Sequence, residues 1–254
     1  MRKVLLSIAG YDPTSGAGVI ADIKTFKAFG FYGVGVVTSI VSQNSKFAKS
    51  MDPLPPLTIE KQIRVLAEDL KIHGIKIGII GSKKNLQWII NFLKKRKFET
   101  IVLDPIIKAS HGIKFLDDEQ IEIMKNELFP LVSIVTPNLF EAMKILKIKN
   151  LNLSELKASI LQFYKRYSTK ILVKGGHLKK ENWDIFFDGN KFYLFSGEKI
   201  KKEVHGTGCI LSSSILALKT KGYTWHHAID RAKKYVSEQM KESERIGKGQ
   251  EFFR

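Results

Sequence analysis

The chain has 254 residues, 44% hydrophobic and 26% charged, a balance that excludes a low-complexity protein and leaves ample apolar surface for a buried core. Its one cysteine excludes an internal disulfide and fits a reducing cytosol. The net charge of +17 comes mostly from lysines scattered along the chain, and the clusters Lys94-Lys95-Arg96-Lys97, Lys179-Lys180, Lys201-Lys202 and Lys233-Lys234 are short and not interleaved with aromatics. They read as solvated faces whose field attracts small anions, with no nucleic-acid role expected. The apolar run Val4 to Ala9 is too short for a signal peptide, and nothing reaches membrane-span length, so a cytoplasmic protein with no membrane partner is expected.

In chain order, Val4 to Ala9 predicts a strand, and Val19, Ile20, Ile23 and Phe26 then recur at helical spacing up to a stop at Gly30. Val34 to Val41 predicts a strand, about Ile59 to Leu70 a helix, Ile75 to Ile80 a strand and Leu86 to Leu93 a helix. Ile101 to Asp104 and Ile134 to Thr136 read as short buried strands, Leu139 to Leu146 and Leu153 to Tyr167 as helices, and Ile171 to Lys174 as another strand. Trp183 to Phe187, Asp188-Gly189-Asn190 and Lys191 to Phe195 carry a hairpin signature, which predicts an antiparallel portion near one sheet edge. Helices from Cys209 to Lys221 and from about His226 to Lys241 close the chain, and the polar tail after Glu242 is expected to be loosely held. No repeat or linker interrupts the pattern, so residues 1–254 are expected to form one α/β domain, its mostly parallel sheet covered by helices on both faces.

In such sheets ligands bind beyond the carboxyl ends of the strands. The glycine-rich and polar segments Gly10 to Gly18, Ser42-Gln43-Asn44, Asp104-Pro105, Thr136-Pro137-Asn138 and Lys174-Gly175-Gly176-His177 all follow predicted strands, and a parallel sheet would set them along one rim. His205-Gly206-Thr207-Gly208-Cys209 opens a helix behind a Gly-x-Gly turn. Unpaired N–H groups and the helix dipole make that turn an anion site, and a thiol held there is expected to ionise more easily than a free one. The plainer reading of Cys209 is a small buried hydrophobe.

The segments Gly10 to Gly18, Ala21-Asp22-Ile23-Lys24-Thr25-Phe26, Thr38 to Asn44, Ile75 to Ser82, Val102 to Pro105, Val135 to Glu141, Val173 to Leu178 and His205 to Cys209 resemble, in this order, the hydroxymethylpyrimidine/phosphomethylpyrimidine kinases of thiamine biosynthesis. The resemblance implies a ribokinase-like three-layer α/β/α fold, use of ATP with Mg2+, and a dimer. It implies phosphorylation of hydroxymethylpyrimidine first to the monophosphate and then to the diphosphate. Pyridoxal kinases on the same fold are the nearest alternative, and a non-catalytic pyrimidine sensor is a third.

By this resemblance the amides of Gly206, Thr207, Gly208 and Cys209 hold the transferring phosphoryl, with the Cys209 thiolate as base. Gln43, Gly10, Asp22, Ile79 and Ile106 then contact the pyrimidine; the Gln43 amide matches a ring nitrogen beside an exocyclic amine. Asp22 read plainly is an acid early in a helix, and Ile79 and Ile106 read plainly are core. Lys174, Asn138 and Asp104 serve ATP, and Glu141 holds magnesium through water. Asn138 and Glu141 equally fit a capping box, Asp104 the start of a turn, and Lys174 a strand end pointing into water. Tyr11 stands where the family has a small serine, His111 is larger than usual, and Lys46 to Asp52 departs from the common sequence.

Overall fold

The structure is a computed structural model describing residues 2–109, 112–149, 152–175, 183–197 and 200–253. His111, Gly176, His177, Lys179 and Lys180 lie outside the described residues. The strands are Val4–Tyr11 (β1), Tyr32–Gln43 (β2), Ala48–Pro53 (β3), Ile72–Ile77 (β4), Ile101–Leu103 (β5), Ile134–Val135 (β6), Lys170–Val173 (β7), Trp183–Phe187 (β8) and Phe192–Ser196 (β9). The helices are Gly18–Ala28 (α1), Pro56–Asp69 (α2), Lys83–Lys94 (α3), Asp118–Ile123 (α4), Leu139–Leu146 (α5), Leu153–Tyr167 (α6), Thr207–Thr220 (α7) and Trp225–Lys241 (α8).

One sheet runs in the order β3-β2-β1-β4-β5-β6-β7-β8-β9. Its central pairs, from β2 through β7, are parallel. Because successive side chains leave a strand on opposite faces, the central strands feed two apolar layers. Leu6, Ile8, Leu103, Val135 and Ile171 join α2, α3, α5 and α6 on one face. Leu5, Val102, Ile134 and Leu172 join α1, α7 and α8 on the other. This two-sided burial explains why these strands read as continuous apolar runs rather than alternating ones.

Two expectations need correction, and one helix carries no sequence expectation. Antiparallel pairing occurs at both edges: β8 and β9 follow β7 as predicted, but β3 also pairs antiparallel with β2 at the far edge. The polar sequence of β3 suits an exposed edge and gives no apolar signal. Between β5 and β6 the chain forms α4, with a capping box at Asp117 and Gln120, continued by wider and then tighter turns over Met124–Leu128 and Phe129–Leu131. The tail after Glu242 is not loose. Glu244 and Phe252 exchange backbone hydrogen bonds, Glu251 bonds Glu203 and His205, and Phe252 is buried.

Phe129 is fully buried and meets the rings of Phe163 and Tyr167 with centroids 5.4 and 5.7 Å away. Phe129→Ala is expected to lower stability by about 3–5 kcal/mol, read from urea unfolding. A loss under about 1 kcal/mol would show that this layer repacks freely.

Candidate active site

Two helix N-termini meet at the rim. The N-cap of α7 is Gly206, left-handed at φ 79°, and that of α1 is Ala17; neither helix has a side-chain cap. A Cβ on Gly206 would lie 1.8 Å from the Gly16 carbonyl oxygen, so only glycine lets the two loops touch. The first amides of α7 therefore lack the serine, threonine or asparagine partner that other helices here possess, as at Ser82, Asn152 and Thr224. An anion can fill that role.

Cys209, in the first turn of α7, is buried. The expectation of an easily ionised thiol is overturned: burial pushes its pKa up to about 11, although Lys76 and the nearby Gly18 N–H pull it down. The surroundings are charged rather than greasy. Lys76, fully buried on β4, donates to Asp22 Oδ2 at 2.9 Å. Ser7 donates to the same oxygen at 2.5 Å, and Ser213, one turn after Cys209, donates to Oδ1 at 2.8 Å. Burial disfavours the Lys76 ammonium, but Asp22 outweighs that and raises its affinity for the proton.

Asp22 thus differs from the sequence expectation. It lies in the second turn of α1, wholly inside the protein, with its oxygens taken by Lys76, Ser7 and Ser213; it forms the floor beneath Cys209 rather than a surface that meets substrate.

Lys174 does not point into water. Its Nζ donates to Asp104 Oδ1 at 2.9 Å, and the space beside Gly208 is bounded by Lys174 Nζ at 3.2 Å and Asp104 Oδ2 at 3.4 Å from an ideal Cβ. Thr136 donates to Asp104 as well, at 3.4 Å. Asn138 and Glu141 do form a capping box: Asn138 accepts from the Glu141 N–H, and Glu141 accepts from the Asn138 N–H at 2.7 Å. Glu141 also accepts from the Ile107 N–H at 3.4 Å. Burial first, and the nearby Asp104 charge, push the Glu141 pKa up to about 7 against the pull of Lys174.

Apolar and polar groups alternate along the rest of the rim. An ideal Cβ on Gly10 would meet Ser39 Oγ at 3.0 Å and Ile79 at 3.4 Å, and one on Gly78 would meet Lys76 Nζ at 3.0 Å and Ile106 at 3.8 Å. Ile79 and Ile106 are partly buried and pack with Val41, Ala48 and Phe115. Gln43 ends β2 and lines a narrow cleft with Asn44, Phe47, Ala48, Ala109 and His205. The structure therefore brings Gly206 to Cys209 together with Lys174, Asp104 and Glu141, sets Gly10 against Ile79 and Gly18, and sets Gln43 against His205, next to Gly206. Sequence reasoning gave no role to Lys76, Ser213, Asp12 or the His205 side chain. A lysine between Ile75 and Ile77 in a buried strand was a signal for the first.

The phosphomethylpyrimidine kinase family profile matches residues 12–253. The chain belongs to the phosphomethylpyrimidine kinase family. It is 38% identical over 250 residues to hydroxymethylpyrimidine/phosphomethylpyrimidine kinase from Aquifex aeolicus, covering 98% of each chain. It is 34% identical to the Staphylococcus aureus kinase of the same name, over 97% of this chain and 91% of the other. Among solved structures, phosphomethylpyrimidine kinase from Clostridium difficile matches at 35% identity and TM-score 0.83, with coverage of 93% and 99%. Pyridoxal kinase from Staphylococcus aureus in complex with ADP matches at 26% identity and TM-score 0.90, with coverage of 100% and 93%. The chain is thus a phosphotransferase with the ribokinase-like fold of these vitamin kinases, a family that uses ATP and small-molecule substrates. No helix among the described residues is long and apolar enough to cross a membrane.

Lys76→Met leaves the Asp22 carboxylate buried without its cation and is expected to destabilise the fold by about 3–5 kcal/mol in urea unfolding, whereas Lys76→Met with Asp22→Leu recovers most of that. For Glu141, the folded pKa of about 7 lies above the ordinary 4.5, so the folded state holds a proton that the unfolded chain has lost. Its contribution to stability should fall as pH rises from 4.5 to 7, and Glu141→Gln should flatten that slope in unfolding curves across the window.

Proposed function

We propose that this chain phosphorylates 4-amino-5-hydroxymethyl-2-methylpyrimidine with ATP, first to the monophosphate and then to the diphosphate, as a single-domain enzyme of thiamine biosynthesis. One observation carries the reading: an uncapped helix N-terminus with a buried thiol and a lysine–aspartate pair lies on the same rim as a narrow cleft lined by Gln43 and His205. In this reading Gln43 takes the aminopyrimidine edge, and Gly10, Ile79 and Ile106 enclose the ring. Asp22 acts from beneath. The amides of Gly206, Thr207, Gly208 and Cys209 receive the transferring phosphoryl, and Lys174 neutralises its charge. The basic excess of the chain draws the nucleotide in. A dimer and a cytoplasmic location fit the family.

Magnesium fits the residues present, though not as a protein-caged ion. Among the described residues no three His, Cys, Asp or Glu side chains converge, and Glu141 already accepts from two backbone amides. Asp104 and Glu141 would hold the waters of an ion carried by the ATP phosphates, with Asn138 fixing Glu141. When bound, the ion supplies charge neutralisation on those phosphates.

Cys209 takes the hydroxyl proton in the first step. Its resting form is the thiol, so the fraction able to accept a proton grows as pH rises towards about 11. The second step attacks with a phosphate oxygen that is already ionised. The first phosphorylation is therefore expected to quicken about tenfold per pH unit from neutrality upward, and the second to stay nearly flat. Cys209→Ala should remove that slope and slow the first step far more than the second, measured by mass analysis of the products. Equal losses in both steps would end the base assignment.

The pyridoxal reading is favoured by one observation, the close superposition on pyridoxal kinases. Turnover of the pyrimidine and of pyridoxal, side by side, decides between them.

A further inference from the structure

The Asp12 carboxylate is two per cent exposed and accepts from every side. Its Oδ1 takes the Thr14 N–H and hydroxyl, both at 2.8 Å, and its Oδ2 takes the Ala17 N–H at 2.9 Å and His205 Nε2 at 2.9 Å. Gln43 Nε2 lies 3.3 Å from His205 Nε2, the nitrogen that faces Asp12, so the amide stands beside the same carboxylate. Burial alone would raise the Asp12 pKa, yet the bonds from His205, Gln43 and Thr14 hold it at about 2, so the group is a carboxylate throughout the working pH range.

A carboxylate only accepts. The Gln43 amide must turn its NH2 towards Asp12, because the reverse orientation would set an oxygen against an anion. The amide oxygen and the second N–H are then left for the cleft in a fixed order. Glutamine alone carries no such preference, since its two ends have nearly the same shape.

His205 is in turn held by the chain's last residues. Its backbone N–H donates to the Glu251 carbonyl at 2.9 Å, and the Phe252 ring meets its imidazole edge-on, centroids 5.9 Å apart. The same strap donates from Gln250 N–H to the Ser45 carbonyl at 2.8 Å and from Gly249 N–H to Ser45 Oγ at 3.1 Å. It thereby ties the loop after Gln43 to the residue before Gly206. A Cβ at Gly16 would strike both His205 and Phe252, at 2.6 and 2.7 Å, so the glycine loop closes over the pair.

We propose that Asp12 and His205, seated by the C-terminal strap, are positioning residues that fix the orientation of the Gln43 amide and so select a ring with an amine beside a ring nitrogen. The proposal rests on Gln43 as the pyrimidine contact. A pyridoxal ring carries no amine beside its nitrogen and gains nothing from that fixed order. The strap thus takes part in specificity although it touches no reacting atom.

The test is a double-mutant cycle on the full chain with Gln43→Ala, His205→Phe and both together. His205→Phe keeps a ring against Phe252 and removes the nitrogen. It should raise KM for the pyrimidine about tenfold while KM for ATP and kcat stay within about twofold. It should leave pyridoxal turnover unchanged, and the double variant should lose no more than Gln43→Ala. Phe252→Ala, which leaves every polar group in place, should give the same signature in smaller measure and serves if His205→Phe does not fold. Additive losses in the cycle, or equal losses for ATP and pyrimidine, overturn the positioning role while leaving Gln43 as a contact. A Gln43→Ala variant with unchanged pyrimidine KM overturns the contact itself, and the proposal with it.

Discussion

The close approach of Gly206 to the Gly16 carbonyl is the contact on which the site depends. It brings the starts of α1 and α7 together with no side chain between them. Once they are that close, Asp22 and Ser213 meet one turn further along each helix. The two helices belong to the same face of the sheet, so the contact also closes one apolar layer over the parallel strands. Stability and chemistry share these few atoms, which is why so much polar structure tolerates burial here.

The charges form an alternating series from floor to rim. Lys76 answers Asp22, Lys174 answers Asp104, and Glu141 stands beside that second pair with a pKa near neutrality. With Glu141 protonated, two ammonium groups balance two carboxylates. Replacing either cation would strand an anion, so each lysine is held by a desolvation penalty that exceeds the modest net worth of the pair itself. Glu141 is the adjustable member: more positive charge nearby would release its proton.

Much of this was legible in the sequence. The central strands appear as apolar runs because both of their faces are covered. Helices α5 and α6 carry their bounds in Asn138 with Glu141 and in Asn152 with Glu155, whose caps are local. The glycine-rich turn before Cys209 announces a helix start without a side-chain cap. Other features depend on distant partners and leave no local mark. The edge strand β3 is polar because one side faces water. The tail looks loose because its bonds run to Ser45, Glu203 and His205, far away in the chain. Asp22 looks like a helix-start acid until Lys76 is brought to it across the fold. The reactivity of Cys209 was misjudged for a related reason: the helix dipole can be read from local sequence, but the depth of burial that outweighs it belongs to the assembled layers.

On the proposed function, a protonated thiol at the head of α7 suits a pocket that would accept two successive nucleophiles of different charge. A standing thiolate would repel the second substrate, whose phosphate already carries its negative charge to the same amides. A neutral sulfur leaves those amides and Lys174 free to receive an anion, and Lys76 lies beneath to ease ionisation when an uncharged hydroxyl occupies the site instead. Burial thus does more than slow the thiol. In the proposed reading it would let one constellation serve a substrate that needs a base and another that needs only positive charge.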